Sequence, residues 1–477
     1  MSDENRSEND EGLKELSEVE LRRRMLFFAV SVVVLVVVSV IPAPDGLSLR
    51  GQRALGILAF VAVLWVTETF PLGLTALFGA MLLPVLGVLP PADSFAGFGS
   101  TALFFLIGAL SFGIAMQKTN LHKRIALRFI GRVGKSSSRL ILSICLLGGI
   151  LSWTMPEHAV AALLLPILIG IVEAGGIDYR QNFGIALFLA LTYGTSVGSM
   201  GTLLGGARNV LAIGIMENFS NISLSFVDWA VAGIPIAVVL MFVTFFTLRI
   251  VYPWEEIDAG KIRSELREEV EEIGPMSRDE KKAGLIFASA FVLWSIFATT
   301  VGLATIAIGG LVALVITRTI TWRDIEQEMP WGIIFLYGGA VTLSQALRSA
   351  GSVEFLANGL MGFIGQKPLL IVAIFLVTVV YLSQVMSNTA ATAIILPITI
   401  SSLIEFGYPA QLGGYLIAMG AAMAFMLPIA TPSAAMAYTS GYIEVRDLIK
   451  AGAILNVLGI ITFLTFGLGW WKLLGIW

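Results

Sequence analysis

Long apolar runs recur along almost the whole chain, and few folds can hold them. They cover 25–41, 54–69, 71–90, 98–116, 138–175, 181–199, 208–216, 229–251, 284–300, 303–317, 331–347, 369–405, 412–427, 435–442 and 450–475. A helix of roughly 20 apolar residues crosses a bilayer core of about 30 Å. Of the 477 residues, 57% are apolar and only 13% are charged. A soluble domain carries about 25% charged residues. The expected fold class is therefore an all-α polytopic membrane protein, with the lipid bilayer as its solvent.

Several runs are not plain crossings. The stretches 138–175 and 369–405 are too long for one and carry Pro and polar residues midway. Each suits a re-entrant helical hairpin with its tip inside the membrane. Spans 181–216 and 412–442 are interrupted at Gly198 to Asn209 and at Pro428 to Ala434, the pattern of a broken helix. The first run starts at Met25 and lacks a small-residue cleavage pattern, so a cleaved signal peptide is not expected. Residues 1–24 read as a cytoplasmic tail, disordered from Ser2 to Glu20.

Lys/Arg bias orients the chain. Arg22, Arg23 and Arg24 precede the first run, and six basic residues lie between Lys118 and Lys135. Loop 252–283 holds Lys261, Arg263, Arg267, Lys281 and Lys282. All three clusters share one side if the N-terminus is cytoplasmic in the plasma (inner) membrane; Arg50 and Arg53 oppose this weakly. The loop, read as an amphipathic connector, separates a first membrane repeat, 25–251, from a second, 284–477. Leu165-Pro166 and Leu396-Pro397 stand 231 positions apart, and the breaks at Gly206 and Thr431 stand 225 apart. Features recurring in order at nearly one offset indicate an internal duplication. An odd number of crossings per half makes the repeats inverted, with about eleven crossings in all.

Backbone that leaves a helix inside a bilayer survives only in protein or around a water-filled cavity. Freed carbonyls there can bind Na⁺, and freed amides at half-helix N-termini can bind anions. Ser387-Asn388-Thr389 lies between two apolar arms, and Ala430-Thr431-Pro432 is its natural partner. The competing explanation is that such polar residues only glue helices together.

On these motifs the chain resembles the divalent anion/sodium symporter family, the transporters of dicarboxylates, citrate and sulfate. The resemblance runs from Trp65 to Trp477. It includes Trp65-Val66-Thr67-Glu68, Leu121-His122-Lys123-Arg124, Gly274-Pro275-Met276-Ser277, Pro330-Trp331-Gly332, Gly338-Gly339, Ser440-Gly441-Tyr442 and Lys450-Ala451-Gly452. It implies a Na⁺ site framed by Ser383, Asn388 and Ala430. It also implies a substrate site lined by Ser387, Asn388, Thr389, Thr431 and Pro432, and a homodimer whose substrate domain moves against a fixed scaffold.

The first half departs from the family pattern. Pro156-Glu157-His158 replaces its first Ser-Asn-Thr, and Ala207-Arg208-Asn209 replaces its Pro-Pro-Asn. In the second half, Ser433-Ala434 follows Pro432 where the family has Pro-Asn. Ionisable residues at membrane depth are expensive and point to function. Glu157 can ligate Na⁺ with Ser152 while Arg208, His158 and Asn209 meet the anion, the guanidinium in bidentate fashion. Alternatively Glu157 or His158 carries H⁺. In a third reading Glu157 and Arg208 form an ion pair that replaces the first cation, as in a uniporter or an anion exchanger.

Other polar residues carry less. Glu68 ends a helix near the interface, Asp93, Asp228 and Asp258 suit loops or caps, and His122 belongs to a basic interfacial helix. Trp470, Trp471 and Trp477 suit an interfacial belt. The lone Cys145 excludes an intrachain disulfide. No phosphate loop or dinucleotide fingerprint is present, which argues against ATP-driven transport. An intramembrane hydrolase would need a catalytic set, but the only histidines are His122 and His158 and no His-Glu-x-x-His motif exists. The expectation is a secondary transporter, not an enzyme. Its substrate is a small divalent anion, a C4-dicarboxylate ahead of sulfate or a tricarboxylate. Na⁺ is the coupling ion, with H⁺ open at the altered site, and no nucleic acid is involved.

Overall fold

The computed structural model describes residues 18–477 apart from 134–135, 221–223, 258–261, 263–267, 269–270, 272 and 365–366. Among the described residues every regular element is helical. The first half runs α1 (Glu18–Val40), α2 (Leu49–Val66), α3 (Leu72–Val85), a 3₁₀ turn (Asp93–Gly99), α4 (Thr101–Thr119), α5 (Leu121–Val133), α6 (Ser137–Leu151), α7 (Glu157–Ala174), α8 (Asn182–Gly198), α9 (Ala207–Ser220) and α10 (Phe226–Val251). The second runs α11 (Arg278–Val301), α12 (Leu303–Ile316), α13 (Trp322–Glu328), α14 (Trp331–Ser349), α15 (Ser352–Ile364), α16 (Pro368–Leu382), α17 (Asn388–Glu405), α18 (Ala410–Gly420), α19 (Pro432–Thr439), α20 (Val445–Thr462) and α21 (Leu468–Leu473).

Eight of these segments are long and apolar enough to cross a membrane, and five shorter apolar helices accompany them. Elements α2 to α10 recur one for one as α11 to α20, with the 3₁₀ turn matched by α13. The duplication extends to single bonds. Trp65 Nε1 donates to the Leu72 carbonyl at 3.2 Å, and Trp294 Nε1 donates to the Leu303 carbonyl at 3.1 Å. Packing is reciprocal between the halves: α3 lies on α14 while α12 lies on α4, and α19 meets α7 while α9 meets α17.

The hairpins α6–α7 and α16–α17 turn within 152–156 and 383–387, close to the expected spans. The first break falls at 199–206 and the second at 421–431, the latter starting seven residues earlier than the Pro428 signal placed it. Glycine lets the first hairpin pack closely against the helix that follows it. A Cβ on Gly198 would lie 2.2 Å from the Gly149 Cα, so α8 and α6 touch backbone to backbone.

Two expectations need correction. Helix α1 is described from Glu18, so Glu18 to Glu20 are helical where disorder was expected; residues 1–17 lie outside the described residues. Trp471 is fully buried against Tyr415 and Phe463, so packing rather than an interface holds it. His122 lies in the expected basic helix, α5, and is buried there with its ring at the Met116 carbonyl. Much of loop 252–283, including Asp258, Lys261, Arg263 and Arg267, lies outside the described residues. Its far end is anchored, because Arg124 pairs with Glu280 at 2.6 Å and donates to the Gly274 carbonyl at 2.7 Å.

Candidate functional site

Both hairpin tips and both helix breaks converge on one cavity of about 360 Å³. Its wall holds Pro156, Glu157 and His158 from the first tip, and Gly205 to Arg208 from the first break. Ser387, Asn388 and Thr389 come from the second tip, and Pro428 to Pro432 from the second break. Leu72, Leu110, Ile333, Leu336 and Ile429 give it an apolar lining, and Glu68 stands at its rim.

The chain breaks here because Pro156, Ser387 and Thr431 each precede a new helix. Helices α7, α9, α17 and α19 therefore start at the cavity wall. Neither Pro156 nor Ser387 supplies a side-chain cap. No N-cap side chain therefore takes a first-turn amide of α7 or α17; amides so placed can meet a ligand or water, and the helix N-termini carry partial positive charge toward it.

In the second half, Asn388 is buried and its Oδ1 finds no hydrogen-bond partner among the described residues. A buried acceptor is costly unless a protein group, water or a ligand bonds it. Ser383 is buried behind the tip, with its hydroxyl donating to Val380 at 3.0 Å. Gln384 fastens the tip to the break: its Nε2 donates to the Met423 carbonyl at 2.8 Å, and its Oε1 accepts from the Met426 amide at 2.8 Å. Thr431 caps α19 by accepting from the Ala434 amide at 3.2 Å.

In the first half, ionisable groups fill the corresponding space. Ser199 Oγ donates to Glu157 Oε2 at 2.7 Å, Arg208 Nη2 donates to Ser199 Oγ, and Arg208 lies 3.7 Å from Glu157 Oε2. Arg208 Nε donates across the repeat boundary to the Ala418 carbonyl at 3.1 Å. The Thr202 hydroxyl donates to the Trp153 carbonyl at 2.8 Å and fastens this tip to its break, as Gln384 does in the other half.

Of the residues singled out from sequence, Glu157, His158, Arg208, Ser387, Asn388, Thr389, Ala430, Thr431 and Pro432 meet at the cavity. Ser152, Ser383 and Asn209 do not line it. Asn209 donates to the Ser199 and Thr202 carbonyls, both at 2.7 Å, and so shapes the break. Ser152 donates back to Gly148 at 2.8 Å. Glu68 lies in the turn after α2 as expected, but it also faces the cavity. Sequence reasoning missed Ser199 and Gln384. Gln384 carried a signal, since an amide one residue past Ser383 in an apolar run must bond across to something; Ser199 carried none.

Comparison with known proteins identifies the family. A family described as the sodium:sulfate symporter transmembrane region matches residues 22–477. The sodium-dependent dicarboxylate transporter SdcS of Staphylococcus saprophyticus is 30% identical over 447 residues, covering 88% of this chain and 86% of that protein. SdcS of Staphylococcus aureus is 30% identical over 448 residues, covering 88% and 85%. The crystal structure of the Alcanivorax borkumensis YdaH transporter shares the fold, with a TM-score of 0.52 at 15% identity over 96% of this chain and 97% of that one. The chain is thus an integral membrane protein and belongs to the sodium:sulfate symporter family, the divalent anion/sodium symporters, whose members are secondary transporters.

Proposed function

We propose that this chain carries a small dicarboxylate across the membrane with Na⁺ as the coupling ion. The observation that carries the reading is the cavity where four helix N-termini start and where the buried Asn388 oxygen has no partner among the described residues. The N-termini favour an anion. The apolar wall of Leu72, Leu110, Ile333, Leu336 and Ile429 favours one with methylenes between its charges. A four-carbon dicarboxylate fits that mixture, whereas sulfate has oxygens on every side and would leave the apolar wall unused. The names of the SdcS relatives support the same substrate class and the same ion.

In this reading Ser387, Asn388, Thr389, Thr431, Pro432 and His158 meet the substrate. Asn388 Oδ1, Ser383 and the Ala430 carbonyl hold Na⁺, a hard cation suited to oxygen donors. Alternating access moves the hairpins and broken helices together against α2–α4 and α11–α14, in an elevator-like stroke. Packing supports this division, because α3 on α14 and α4 on α12 form one block, while α6 on α8, α16 on α18 and α17 on α9 form another. We propose a homodimer with a cytoplasmic N-terminus in the plasma membrane. The cavity rim at Glu68 and Ile333 then faces the cytoplasm, on the side of the basic helix α5.

The test is uptake of labelled succinate, sulfate and citrate into proteoliposomes, with Na⁺ or choline outside. Succinate uptake driven by the Na⁺ gradient is expected. Equal uptake in choline would end the Na⁺ reading. Uptake that follows an internal counter-anion and ignores Na⁺ would identify an exchanger instead, the reading that the Glu157–Arg208 pair favours.

A further inference from the structure

The duplicated architecture places two matching hairpin tips at the cavity, and their surroundings differ. At the second tip the donors are neutral oxygens, and Asn388 Oδ1 has no partner among the described residues. At the first tip a guanidinium sits between the hairpin and the break. Arg208 is 3% exposed at its side chain and Glu157 is 8% exposed, while Ser199 is fully buried between them.

Each edge of the guanidinium faces something different. Nη2 donates to Ser199 Oγ and lies 3.7 Å from Glu157 Oε2. Nε donates at 3.1 Å to the Ala418 carbonyl. The amide of Ala422, the ordinary helical partner of that carbonyl, bonds to Met419 instead. Arg208 also lines the cavity. The side chain therefore does what a bound cation would do there. It gathers a hydroxyl, a freed carbonyl and a carboxylate, and presents positive charge to the substrate space. Unlike a bound ion it is covalently tethered and always charged. A Na⁺ entering the same place would meet that charge at close range inside the protein, where screening is weak.

We propose that Arg208 is a resident cation in the first-half ion position, so that each dicarboxylate travels with one Na⁺, bound at Asn388 in the second half. Glu157 is then the counter-charge of Arg208 rather than a Na⁺ ligand. The inference rests on the Na⁺-coupled reading above and adds the stoichiometry to it.

The test is a zero-flux measurement in proteoliposomes with the membrane potential held at zero by K⁺ and valinomycin. With one Na⁺ per succinate, a roughly tenfold Na⁺ gradient balances an about tenfold opposing succinate gradient; with two it balances about a hundredfold. The tenfold result is expected. The hundredfold result overturns the resident-cation assignment and leaves Na⁺ coupling intact. A Na⁺ gradient that moves no succinate overturns the coupling itself, and the assignment with it. Glu157→Gln separates the roles further. Its transport rate should fall while the balance point stays near tenfold, and loss of coupling would make Glu157 the Na⁺ ligand and refute the proposal. Should that variant fail to fold, the balance point of the unmodified protein still decides.

Discussion

Glu157 and Arg208 are held at depth by each other. Removing one partner of a buried pair leaves the other uncompensated, at a cost of about 3–5 kcal/mol. Arg208→Gln should therefore melt well below the unmodified protein in detergent, and adding Glu157→Gln should recover part of that loss. Strictly additive losses in the two single and one double variant would show that the pair is uncoupled. At this scale the sequence was informative where a polar group interrupted an apolar run, as at Pro156-Glu157-His158 and Ser387-Asn388-Thr389. It was silent where function depends on a partner far along the chain. Ser199 matters through Glu157, 42 positions away, and Gln384 matters through Met423 and Met426.

The hairpins were legible because their length exceeds one bilayer crossing and their tips carry proline or polar residues. The expected hairpin 138–175 became a helix pair from Ser137 to Ala174. The second break was placed late, because Ala421, Ala422, Met423 and Ala424 are apolar helix formers and give no sign that the helix has ended. Close backbone contact was equally hidden. Gly198 is needed because a side chain there has no flexible neighbour to push aside; the atoms within reach are Gly149 backbone. Gly198→Val should cost about 1–3 kcal/mol or more through overpacking. We expect a lower melting temperature and less monodisperse protein on size-exclusion chromatography. A profile unchanged from the parent would contradict the contact between α6 and α8.

Across the whole molecule the two repeats are joined outside the cavity as well as around it. Lys118 at the end of α4 pairs with Asp324 in α13. Together with the Thr321 amide and hydroxyl, it holds the Asp324 carboxyl at about 2, below its usual 3.8. A carboxylate whose pKa is lower in the folded state adds stability that is complete above the unfolded value and fades as pH falls through the folded one. The melting-temperature gap between the parent and Asp324→Asn should therefore be constant above pH 3.8 and shrink toward about 2. A gap that begins to close near neutrality would assign the effect to another group. The repeat itself was readable from two offsets in the sequence. The reciprocal packing of α3 on α14 and α12 on α4 was not, since periodicity says nothing about which helices meet.

If the buried oxygen of Asn388 couples a cation to an anion in one cavity, as proposed, linkage makes the coupling measurable. Each ligand must strengthen the binding of the other by the same factor. The most direct measurement is calorimetric titration of succinate into the purified protein at rising Na⁺, for the parent and for Asn388→Ala. Succinate affinity should climb with Na⁺ in the parent and lose most of that dependence in the variant. Equal affinity for succinate in Na⁺ and in choline, or a Na⁺ dependence left intact by Asn388→Ala, would contradict it.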